Sequence, residues 1–62
     1  MWLTKKMIWD MFVSLSYSTG FYGRLCRDIA QAGEEGMAYL QELEDMHFTN
    51  DLDLIYFIEG NV

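Results

Sequence analysis

The sequence predicts an all-α fold, a compact bundle of three to four short helices, on three observations. Apolar residues recur at helical spacing through most of the chain. No proline interrupts those runs. Residues that accept N–H groups at helix starts (Thr4, Ser18 or Thr19, and Asn50) stand just ahead of them.

The first helix is expected over residues 4–16. Leu3, Met7, Met11 and Leu15 form its stripe, with Ile8 and Phe12 beside them. Trp2, Trp9, Val13 and Tyr17 fall on roughly the opposite side, mixed with Lys5 and Lys6. A surface helix normally shows one apolar stripe. This one shows two, so it is either surrounded by the bundle or presents Trp9 and its neighbours to a partner or sister subunit.

The stretch "STGFYGRLCRD" then breaks the period and restarts it. A second helix is expected over residues 21–32, with Phe21, Leu25, Ile29 and Ala32 inward and Tyr22 and Cys26 on the flank. Arg24, Arg27 and Gln31 share the other face, and Arg24 is spaced to pair with Asp28. Gly33 ends this helix. A third is expected over residues 34–46, with Tyr39, Leu40, Leu43 and Met46 inward and Met37 at the margin. Glu34 and Glu35 suit its positive N-terminus, while Gly36 weakens its first turn. Asn50 caps a short fourth helix over residues 52–59, stopped by Gly60. The "LIYFI" of that segment is also a good strand former, but a lone strand would have no partner.

At 62 residues the chain reads as a single helical domain. A chain this short buries only roughly 60% of its unfolded surface. With 52% of its residues hydrophobic, it carries more apolar surface than it can hide alone, which points to a partner surface or to self-association. The one cysteine, Cys26, excludes an internal disulfide framework, and cytoplasmic residence is expected. No apolar run approaches the roughly 20 residues that span a bilayer, and the acidic balance argues against an anionic membrane surface.

Charge is segregated. Residues 1–32 hold all four basic residues against Asp10 and Asp28, a net of +2, and residues 33–62 hold eight carboxylates and no base, a net of −8. The acidic face expected from Glu34, Glu35, Glu42, Asp45, Asp51 and Asp53 either keeps the protein soluble or complements a basic surface. Trp9, Tyr17, Tyr22, Arg24 and Arg27 form a second candidate partner surface, an aromatic–arginine patch.

Catalytic and cofactor patterns are absent. Gly20-x-x-Gly23 lacks the Lys-Ser/Thr of a phosphate loop and follows no predicted strand. Glu44, Asp45, His47, Asp51 and Asp53 match neither a calcium loop nor a zinc signature, so no metal and no cofactor is expected. His47 is expected at the core edge of the third helix, and Cys26 as an inert thiol. Four basic residues beneath a net charge of −6 make a poor footprint for direct nucleic-acid binding.

The run "GFYGRLCRDI", followed by an acidic helix and "FTNDLDLIYFIEG", resembles small acidic accessory proteins of phages and other mobile elements. That group includes inhibitors of host defence, anti-CRISPR proteins among them, and some of these mimic nucleic acid. The resemblance covers most of the chain in length and layout and carries over no functional residue. It implies residence in the host cytoplasm. With the charge pattern, it makes the leading expectation a non-enzymatic inhibitor that occludes a basic nucleic-acid-handling surface of a host defence complex. A homo-oligomeric interaction module and a small DNA-binding regulator are the alternatives.

Overall fold

The structure, a computed structural model, describes residues 1–60. It is an all-α bundle of four helices: α1 (Lys5–Ser16), α2 (Gly20–Ala32), α3 (Glu34–Asp45) and α4 (Asp51–Gly60). Residues 52–59 lie within α4, so the strand alternative is set aside.

Three of the four helix starts follow from side-chain caps. Thr4 Oγ1 accepts the Met7 N–H at 3.3 Å, and Thr19 Oγ1 accepts the Tyr22 N–H at 3.3 Å. Asn50 Oδ1 accepts the Asp53 N–H at 2.9 Å, and Asn50 Nδ2 donates to the Asp53 carboxylate at 3.0 Å. Each removes one of the orphan N–H groups that every helix start leaves, worth about 1 kcal/mol. Gly33 gives α3 no side-chain cap, and Glu34 and Glu35 instead place negative charge in its first turn.

Nine buried residues form the core: Leu3, Ile8, Phe12, Tyr22, Ile29, Leu40, Leu43, Leu54 and Ile58. Every helix contributes two of them; α1, α2 and α3 pack closely on one another, and α4 joins the cluster through the side chains of Leu54 and Ile58. In α1 the buried pair is Ile8 and Phe12, both 0% exposed, whereas Met7 lies on the surface. In α2 it is Tyr22 and Ile29, while the expected core residue Ala32 is exposed. In α3, Leu40 and Leu43 are inward as expected and Tyr39 is half-buried, while Met46, just past its end, is exposed. The helices stand where periodicity puts them, but α1 and α2 are rotated relative to their predicted stripes.

Gly36 explains how closely α2 and α3 approach. A Cβ at that position would collide with the carbonyl oxygen of Ile29 and come within 3.0 Å of its Cγ2. The residue that weakens the first turn of α3 is therefore the one that lets two backbones meet. Gly20 and Gly23 have no such role: a Cβ at Gly20 would meet open space, and one at Gly23 would make only ordinary 3.9 Å contacts with Ser16.

The N-terminal residues are tied to the far end of α3. The Leu3 N–H donates to the Phe48 carbonyl at 2.8 Å. The Lys5 N–H donates to the Glu44 carboxylate at 3.1 Å, so α3 caps the first turn of α1 from across the bundle. His47 ends α3 in the left-handed region (φ 56°), exposed rather than at the core edge, with its ring 4.3 Å from that of Trp2.

Candidate protein-interaction surface

The six carboxylates expected to form an acidic face come from two helices. Glu34, Glu35, Glu42 and Asp45 lie on α3, and Asp51 and Asp53 lie in the first turn of α4. All six residues are exposed. Asp45 accepts from Gln41 Nε2 at 2.8 Å, and Asp53 is engaged by Asn50. None of the six meets a cation: the one ion pair among the described residues joins Lys6 and Asp10 at 3.1 Å on α1. Arg24 and Asp28 border one surface groove without closing the pair their spacing allows.

A seventh carboxylate behaves differently. Glu44 is partly buried, and it accepts from the Lys5 N–H and, at 3.2 Å, from Gln41 Nε2. It is a structural cap, a role that sequence reading missed because nothing local distinguishes it from its acidic neighbours.

The aromatic–arginine patch does not assemble as one surface. Tyr22 is only 3% exposed and belongs to the core, which corrects its placement at a partner surface. Its ring packs against Phe12 and Phe21, with centroids at 5.9 and 4.9 Å, and its hydroxyl donates to Glu59 at 3.1 Å. Burial first, and then the Glu59 carboxylate, push the Tyr22 hydroxyl up to about 12. Tyr17, at the C-terminus of α1, is 87% exposed, and Arg27 is exposed on α2. Trp9 and Arg24 border different grooves. Arg24 lies with Phe21, Leu25, Asp28 and Glu59, whereas Trp9 lies with residues of α2 and α3.

The Trp9 groove is a feature that sequence reading did not locate. It has a volume of about 570 Å³ and is lined by Trp9, Ile29, Ala30, Glu34, Met37 and Leu40, among others. The only hints in the sequence were a second apolar side on α1 and Met37 at the margin of the α3 stripe.

For chemistry the site offers little. Burial raises the Cys26 thiol above its ordinary range, which lowers the thiolate fraction that attack would need. Among the described residues no three of His, Cys, Asp and Glu gather closely enough to hold a metal ion. No helix among them is long and apolar enough to cross a membrane.

No protein-family model, no curated protein and no solved structure matches this chain.

Proposed function

We propose that this chain is a non-enzymatic protein-binding protein that occludes a basic, nucleic-acid-handling surface of a host defence complex. One observation carries the reading. Among the described residues, six exposed carboxylates on α3 and α4 face solvent without a cationic partner, while all four basic residues sit on α1 and α2. A field arranged in this way speeds encounter with a basic surface and sets the orientation of approach. Carboxylates standing where phosphates would lie also compete with nucleic acid for the same cationic groups.

The test is capture of partners from host lysate on immobilised protein in rising salt. A specific partner should be retained at low salt and released as salt rises, because exposed charge pairs are screened over about 8–10 Å at ordinary ionic strength. Replacing Glu42 and Asp45 together by Lys should weaken capture roughly tenfold, since each reversal turns an attraction into a repulsion. An unchanged affinity after both reversals sinks the reading.

One observation favours a second reading, the homo-oligomeric module. Trp2 (46% exposed) and Met7 leave apolar surface on and beside α1. Light scattering at micromolar concentration discriminates the two, because a strict monomer removes the oligomer.

A further inference from the structure

The groove beside Trp9 differs in kind from the acidic face. It is apolar along its floor and walls, and the only ionisable group lining it is Glu34. The next residue, Glu35, is also exposed, and none of Lys5, Lys6, Arg24 and Arg27 lines the groove. Its volume lies within the roughly 300–1,000 Å³ of clefts that seat a ligand. It is open, however, and offers no set of buried polar groups to orient a small molecule. Met37, 56% exposed at its rim, has the adaptable side chain of surfaces that accept an apolar anchor. The backbone contact at Gly36 fixes α2 against α3, so two of the groove's walls are held in place before anything binds.

We infer that this groove receives the apolar side of a basic amphipathic segment of the protein partner. Large apolar side chains would pack on Trp9, Ala30 and Met37, and a flanking Lys or Arg would meet Glu34. The inference rests on the protein-binding reading above and adds the chemistry of the segment that is held. Charge selects the occupant. The one ionisable group lining the groove is an acid, in a chain of net charge −6, so a basic segment meets attraction there.

The experiment is an NMR titration of the intact protein with three synthetic helical peptides: an amphipathic leucine–lysine helix, its leucine–glutamate counterpart, and a serine–lysine peptide of the same charge as the first. The expected result is saturable movement of the Trp9, Ala30 and Met37 resonances with leucine–lysine alone. Met37→Lys should cost roughly tenfold or more in affinity by placing a cation on the apolar rim, and Glu34→Lys a few-fold. Ala30→Lys, at another exposed position, checks the Met37 result, and circular dichroism establishes that each variant is folded. Equal response to the leucine–lysine and serine–lysine peptides, or movement confined to the acidic face, overturns the inference. So does a dimer in sedimentation that Met37→Lys dissociates, because the occupant is then a second copy. Salt-dependent capture of a partner without any groove response removes this inference and leaves the protein-binding reading standing. A groove response without capture of a host partner upholds the groove's choice of a basic amphipathic segment and removes only the host-defence target proposed above.

Discussion

The two corners on either side of α3 are built in opposite ways. Between α2 and α3 the chain turns through one glycine, Gly33, at φ 62° and ψ −116°, and Gly36 then lets the backbones meet. Between α3 and α4 the chain passes through Met46, His47, Phe48, Thr49 and Asn50, and side chains hold it. Trp2 packs on His47, Phe48 lies 5.6 Å from Phe57 between ring centroids, and Asn50 caps α4. Both corners include a residue with positive φ, a glycine at one and a histidine at the other. The first corner therefore depends on the absence of side chains, and the second on their presence.

The largest test of that contrast is Gly36→Ala. The added methyl meets backbone rather than a flexible side chain, so α2 and α3 must separate, at about 3 kcal/mol. The helix propensity gained by alanine, about 1 kcal/mol, offsets only part of this. A chemical-denaturation midpoint equal to that of the parent would show that the corner is looser than described.

A smaller effect is expected from exchanging the two positive-φ positions. Gly33→Ala should cost about 1–3 kcal/mol, since an L residue is strained there whatever the space around it. His47→Gly should be neutral to within about 1 kcal/mol, because relief of a left-handed histidine opposes loss of its contact with Trp2. Equal losses at both sites in thermal unfolding would erase the distinction between the corners.

The smallest effect concerns the link between α2 and α4. Tyr22→Phe removes the hydroxyl that donates to Glu59 and should cost about 0.5–1.5 kcal/mol near neutral pH. Its pH dependence has a definite sign. The folded protein holds the Tyr22 proton up to about 12, against 10.0 for the free side chain, so it binds more protons than the unfolded chain between those values. The stabilisation is complete below pH 10 and is lost as pH rises through about 12. Tyr39, raised by burial and by Glu42, adds in the same direction. Stability followed from pH 9 upward should therefore fall less steeply in Tyr22→Phe than in the parent, and parallel curves would contradict this.

These corners also show what the sequence could and could not reveal. Helix positions were legible because Thr4, Thr19 and Asn50 act within three residues of themselves. The exposure of Glu34, Glu35, Glu42, Asp45, Asp51 and Asp53 was legible because it follows from polarity alone. Rotation about the helix axes was not. Tyr22 is inward because its ring packs against Phe12 of another helix while its hydroxyl reaches Glu59, 37 residues away, and periodicity carries no information about either partner. Glu44 and Gly36 were missed for the same reason, since each acts on a backbone atom of a different helix.

The position of Glu44 has a practical consequence for charge engineering. A variant in which every carboxylate of the acidic half is exchanged for an amide would be taken to report on electrostatic attraction alone. It would also alter the group that receives the Lys5 N–H, and so mix loss of recognition with fraying of α1. A charge-neutralised version that leaves Glu44 and Glu59 in place separates the two, and is the reagent with which the role of surface charge in this protein can be measured cleanly.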